Sequence, residues 1–193
     1  MENIISSLQK ANQLLQAFTA DSAKIAMISA IADKLAEIFA AGGKVMICGN
    51  GGSATDAMHF AEEFTGKFRQ ERPALPAIAL TDSSHITCVG NDFGFAEIFS
   101  RAVAAFGKPG DLLIGLSTSG NSANIIRALQ QAQELGVHTC TLLGQTGGKL
   151  RDQADYQIII PGETSDRIQE MHMLILHIII EQVERQLYPE NYR

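Results

Sequence analysis

The sequence predicts a three-layer α/β/α sandwich around a central, mostly parallel five-stranded sheet, and three observations predict it. Short aliphatic runs alternate with longer helical patterns. Turns rich in Gly or Ser follow two of those runs at once. The hydrophobic fraction is 46%, with only 6% aromatic residues and no Trp. Such alternation gives parallel strands covered on both faces, with a ligand crevice at their carboxyl ends. The composition suits Ala, Leu, Ile and Val packing of helices on a sheet. At 193 residues the chain can bury one good core, so residues 1–193 are read as a single domain.

Two helices open the chain, over 2–18 and 22–41. Ile4, Ile5, Leu8, Leu14 and Leu15, then Ile25, Ile28, Ile31 and Leu35, recur in them at helical spacing. Gly42-Gly43 stops the second, and Lys44–Cys48 (KVMIC) reads as a buried parallel strand. A helix is expected over 54–68, a strand over 76–80 (PAIAL) and a helix over 96–106, with His85 on a loop between them. Asp111–Leu116 (DLLIGL) is the clearest strand. The next helix runs to Leu135, and Gly136 ends it at the position where glycine commonly closes helices. Strands over 138–143 and 156–160 flank Gly147-Gly148, and a last helix spans 165–187. The first two helices and the last exceed what one small sheet needs for cover. The apolar stretches Ile25–Leu35 and Met173–Ile180 are therefore expected to pack between subunits of a homo-oligomer.

The net charge of −6 and the absence of a basic stripe argue against nucleic acid as a partner. Cys48, Cys88 and Cys140 are odd in number and form no CxxC pair, which fits reduced thiols in the cytoplasm. No secretory signal is expected in Met1–Lys10. The greasiest run, Met171–Ile180, is about half the ~20 residues a membrane span requires, so it reads as a buried helix and no membrane is expected.

Four features could carry chemistry. Cys48-Gly49-Asn50-Gly51-Gly52-Ser53 lies between a strand and a helix, where glycines admit a ligand to free N–H groups and a positive dipole end. A plain turn with Ser53 as the helix N-cap is the alternative. Ser117-Thr118-Ser119-Gly120-Asn121-Ser122 sets four hydroxyls around one helix start, a nest of neutral donors suited to a phosphate monoester. His59 and Glu63 are four apart and share a helix face; they could chelate zinc or pair for proton transfer, although surface His–Glu pairs are common. His177 and Gln169 are polar groups within an otherwise apolar helix, which is costly unless they face a site or a partner. Asn91-Asp92 are further candidates to line the crevice, and His172 is either a supporting group or a surface residue.

With AGGKVMICGNGGS, DAMHFAEEFTGKFRQERP, SSHITCVGNDFGF, LSTSGNSANII and DRIQEMH in one order, the chain resembles the sugar isomerase (SIS) family over nearly its whole length. Within that family it is most similar to the phosphoheptose isomerases. The resemblance implies a flavodoxin-like fold, a homotetramer, and isomerisation of sedoheptulose 7-phosphate to D-glycero-D-manno-heptose 7-phosphate through an enediol, at the start of heptose synthesis for lipopolysaccharide. It implies Glu63 and His177 as the acid–base pair. Substrate contacts carry over to Asn50, Gly51, Gly52, Ser53, Glu63, Asn91, Asp92, Ser117, Thr118, Ser119, Ser122 and Gln169. It also implies one zinc ion per subunit, at His59, Glu63, Gln169 and His177. Gln169 and His177 are eight residues apart, about 12 Å along one straight helix, so a shared ion requires leaning side chains or a site split between subunits. The same family holds a non-enzymatic replication protein that binds the DnaA initiator, which RIQEMHML and QLYPE also resemble. That branch departs from the isomerase pattern at the positions of Glu63 and His177. A sugar-phosphate-binding regulator would keep the serine loop and need no acid–base pair.

Overall fold

The computed structural model describes residues 1–193. Two helices, α1 (Glu2–Thr19) and α2 (Ser22–Ala40), precede β1 (Val45–Cys48). There follow α3 (Gly52–Thr65), β2 (Ala77–Ala79), α4 (Ser83–Asp92), α5 (Ile98–Phe106), β3 (Leu112–Ser117), α6 (Ala123–Glu134), β4 (His138–Gly144), β5 (Tyr156–Ile160) and α7 (Ser165–Leu187). All strands run parallel in the order β2-β1-β3-β4-β5.

Every side chain of β1 and β3 is buried, because successive residues face opposite layers and both layers are helical. Val45, Ile47, Leu112 and Ile114 join the larger core with α2, α3 and α7. Met46, Cys48 and Leu113 join a second core with α4, α5 and α6. Lys44 and Asp111 tie the amino ends of β1 and β3, with Nζ 2.5 Å from Oδ2, and Asp111 also accepts from the Lys44 and Lys108 N–H groups. The chain leaves β1 toward β2 on one side and toward β3 on the other. The crevice at the carboxyl end of β1 and β3 is therefore the switch point, where open α/β sheets bind ligands.

The structure departs from the sequence reading in four places. The α3 helix begins at Gly52, ahead of the expected start at 54, and its N-cap is Gly51 rather than Ser53. His85 lies on α4 and not on a loop. The segment SSHITCVGND carries a glycine and β-branched residues that disfavour a helix, but Asp82 caps it by accepting from the His85 N–H, and Val89 and Ile86 pack into the second core. His172 is fully buried rather than a surface residue. The apolar helices expected between subunits are mostly consumed by the protomer's own core: Ile28, Ile31, Leu35, Ile175, Leu176, Ile179 and Ile180 are all buried. Of those two stretches Ile25 and Leu174 stay exposed, and α1 adds Ile4, Ile5 and Leu8, each more than half exposed, with only Phe18 buried. No helix is long and apolar enough to cross a membrane. All three cysteines are free, and burial pushes the thiols of Cys48 and Cys140 far above their usual range.

Candidate active site

Three helices begin around the crevice, and none is capped by its own N-cap side chain. Gly51 heads α3, Ser122 heads α6 and Thr164 heads α7. Elsewhere α2 and α4 are capped by Asp21 and Asp82, while α1 and α5 have no side-chain cap. Uncapped starts keep N–H groups and positive dipole ends free for an anion. Side chains hold the three starts together. Asn50 and Asn124 exchange two amide hydrogen bonds of 3.0 and 2.8 Å, joining the glycine turn to α6. Thr118 and Ser165 hydroxyls lie 3.2 Å apart, and the Gln169 Nε2 reaches Ser53 Oγ at 3.5 Å.

Within the serine loop, the Gly120 N–H donates to Ser117 Oγ at 3.1 Å and the Asn121 N–H to Ser119 Oγ at 3.2 Å, while Ser117 and Ser122 hydroxyls are 3.1 Å apart. Gly120 has φ of +65° and packs against the Gly147–Gly148 backbone, so a side chain there would be strained and would collide. At Gly52 a Cβ would come within 2.7 Å of the Gln169 amide. That close approach is what the glycine permits.

The second part of the site lies farther along α3 and α7. His59, Glu63 and His177 bring ligating atoms within 4.8 Å of one another, and His59 Nε2 is 3.3 Å from Glu63 Oε1. The His59 and His177 rings meet edge to face at 5.0 Å, and Phe68 stacks on His177 at 5.8 Å. Burial lowers the His177 pKa, the neighbouring His59 and Arg69 lower it further, and Glu63 opposes them. His177 is thus held toward its neutral form, able to accept a proton at neutral pH. Glu63 is 15% exposed and His59 43%, so the cluster opens at the protomer surface.

The predicted residues fall into three groups. Asn50, Gly51, Gly52, Ser53, Ser117, Thr118, Ser119 and Ser122 lie together at the crevice with Gln169 beside them. His59, Glu63 and His177 form a second cluster. Asn91 and Asp92 stand exposed at the end of α4; their side-chain hydrogen bonds join one another and Cys88, and none reaches the serine loop within the protomer.

The SIS domain family model matches residues 8–144. A phosphoheptose isomerase of Fusobacterium nucleatum is 58% identical over 190 residues, 98% of each chain. The chain belongs to the SIS family, in its phosphoheptose isomerase branch. Two solved structures of that branch agree. One from Francisella tularensis is 37% identical with a TM-score of 0.89, and one from Neisseria gonorrhoeae is 38% identical with a TM-score of 0.86. Each alignment covers 95% of this chain and 97% of the other.

Two imidazoles and a carboxylate are a donor set that suits zinc, and their mutual spacing lets one ion reach all three, so these residues of the SIS chain fit the metal that the resemblance implies. Gln169, the fourth ligand implied, rests on Gly52 and Ser53 at the glycine turn. One further candidate escaped the sequence reading. Asp56 shares the α3 face with His59 and Glu63 at spacings of three and seven, its Oδ2 is buried without a partner, and burial pushes its carboxyl up to about 6 against the pull of His59. The spacing was visible in the sequence; the unpaired oxygen was not.

Proposed function

We propose that this chain isomerises sedoheptulose 7-phosphate to D-glycero-D-manno-heptose 7-phosphate, with Glu63 and His177 as the acid–base pair. The observation that carries the reading is the two-part site. Uncapped helix starts and hydroxyls gather at the carboxyl ends of the central strands, and a His–Glu–His cluster stands on two of those helices, α3 and α7. The names of the close relatives favour the same substrate and an enzyme over an initiator-binding protein. Gln169 at one end and His177 at the other are eight residues apart on α7, about 12 Å along its axis, leaving room for an open-chain sugar between phosphate grip and proton transfer.

In the proposed mechanism the serine loop and helix starts hold the phosphate, and that binding places C1 and C2 against Glu63. The Glu63 carboxylate takes a proton from C1 while His177, held toward neutrality by its surroundings, takes the O1 proton and passes it to O2, giving the enediolate. Protonated Glu63 then returns its proton to C2, which yields the aldose. His59, Glu63 and His177 would hold a zinc ion, which would supply Lewis-acid polarisation of a sugar oxygen when bound. Asn91 and Asp92, remote from the loop within one protomer, contact substrate in this reading from a neighbouring subunit of a homotetramer, and Gln169 completes a zinc set by the same sharing. The enzyme is cytoplasmic and feeds heptose into lipopolysaccharide precursors.

The test is to incubate the purified, zinc-supplemented protein with sedoheptulose 7-phosphate in deuterated water. Aldose with deuterium at carbon is the expected product. Unchanged substrate with no exchange at C1 would overturn the reading and favour the initiator-binding alternative.

A further inference from the structure

The segment between α3 and β2 is laced to α7 at three successive levels. Phe68 stacks on His177, Arg69 pairs with Glu181 at 2.8 Å, and Arg72 pairs with Glu184 at 2.7 Å. Positions 177, 181 and 184 follow one another at helical spacing along a single face of α7. The last level differs from the others in being dry: the side chains of Arg72 and Glu184 are both fully buried. Arg72 also closes the carboxyl end of α3, donating from Nη2 to the Glu63 carbonyl at 2.6 Å and from Nη1 to the carbonyls of Phe64 and Gly66 at 2.7 and 3.3 Å. A further Nη1 bond to the Pro73 carbonyl, at 3.1 Å, ties in the segment's own backbone. No basic residue lies in the last turn of α3, and its C-cap backbone N–H reaches only the Glu62 carbonyl. The guanidinium therefore satisfies carbonyls that a helix end leaves orphaned. Glu184 spends its other oxygen on the Tyr192 hydroxyl, at 2.8 Å.

One planar cation thus holds the backbone of Glu63 with one edge and a carboxylate two turns beyond His177 with another. Such a fork has fixed geometry, so it sets both the axial offset and the rotation of α3 against α7. We propose that Arg72, locked by Glu184, is a positioning residue for the Glu63–His177 pair, fixing the register of the two helices that carry it. A buried ion pair is weak evidence for stability, since apolar replacements of similar volume are often as stable. The observation that points to register is that four of the five Arg72 hydrogen bonds go to backbone, one of them to the proton-transfer residue itself. The inference rests on the acid–base roles proposed above.

The test uses the full chain and the double variant Arg72→Met/Glu184→Met, which leaves no orphaned charge, together with Arg72→Lys, which keeps the charge pair and loses the fork. Two readouts are taken beside the melting temperature: kcat and KM for sedoheptulose 7-phosphate, and the affinity for Zn²⁺ alone by competition with a chromophoric chelator. Loss of register is expected to lower kcat at least tenfold with KM within about twofold, and to weaken zinc binding by the 10- to 100-fold typical of disturbed ligand support. A folded variant of either kind with wild-type kcat and wild-type zinc affinity would overturn the inference. The zinc measurement decides it even where the wild-type protein shows no isomerase activity, an outcome that removes the catalytic reading alone. Lys44→Met disturbs another ion pair at the far end of the sheet. An equal fall in kcat and zinc affinity there, at an equal loss of melting temperature, would reduce the effect to general stability and also overturn the proposal.

Discussion

His59 on α3 and His177 on α7 meet edge to face, with ring centroids 5.0 Å apart, and Glu63 closes the group from one turn beyond His59. Neither helix could hold this arrangement alone. It depends on one crossover helix and the C-terminal helix lying on the same face of the sheet and packing there through one core.

Replacing Glu63 by Gln, or His177 by Asn, should cut turnover by about 10²- to 10⁴-fold, the usual contribution of a positioned acid or base. Glu63→Gln is nearly isosteric, so the fold should survive and sedoheptulose 7-phosphate should still shift the melting curve. Full activity in a folded Glu63→Gln protein would remove the residue from proton transfer.

The serine loop should act on the phosphate and nothing else. Ser119→Ala is expected to weaken substrate binding by the ~1–3 kcal/mol of a hydrogen bond to a charged group, with the melting temperature of the free protein unchanged. Sedoheptulose without its phosphate should bind poorly to the wild type. Calorimetry giving the two sugars equal affinity would contradict phosphate recognition at this crevice.

An apolar face left open on α1 should be the oligomer surface. Ile4 and Leu8 are about two-thirds exposed, which favours burial against another subunit. Light scattering is expected to show a wild-type oligomer at low micromolar concentration, and Ile4→Glu/Leu8→Glu should dissociate it. A wild-type chain that runs as a 20.8 kDa monomer would defeat both this and any site shared between subunits.

Acid sensitivity should carry the signature of His172. Its Nε2–H donates to the Leu143 carbonyl at 3.2 Å, its Nδ1 is buried without a partner, and burial lowers its pKa from 6.5 to about 4. The folded state binds the proton less readily than the unfolded chain. The stability this confers is therefore complete above pH 6.5 and is lost as pH falls from there toward 4. A shift of this size corresponds to about 3 kcal/mol at most. His172→Gln keeps the donor and removes the titration, so its stability should fall less steeply than that of the wild type between those pH values in denaturant melts. Parallel curves would show that His172 does not titrate in this range.

The sequence by itself determined the layer order and the two glycine- and serine-rich turns that meet at the crevice. Hydrophobic period separates buried strands from helices, and GNGGS and STSGNS each lead directly from a strand into a helix start, as the local residue pattern indicates. Motif resemblance singled out Glu63 and His177 as well. Only the tertiary structure decided what those residues meet. It made a helix of SSHITCVGND by burying Val89, buried His172 against Leu143, left Asp56 unpaired, and turned Arg72 and Glu184 into a dry clamp between α3 and α7. It also buried most of the apolar residues of α2 and α7 in the protomer's own core and left Ile4, Ile5 and Leu8 of α1 open. The physical reason is common to all of these. Periodicity and capping are local and written in neighbouring residues, whereas burial, partner geometry and helix register depend on which distant segments the sheet order brings into contact.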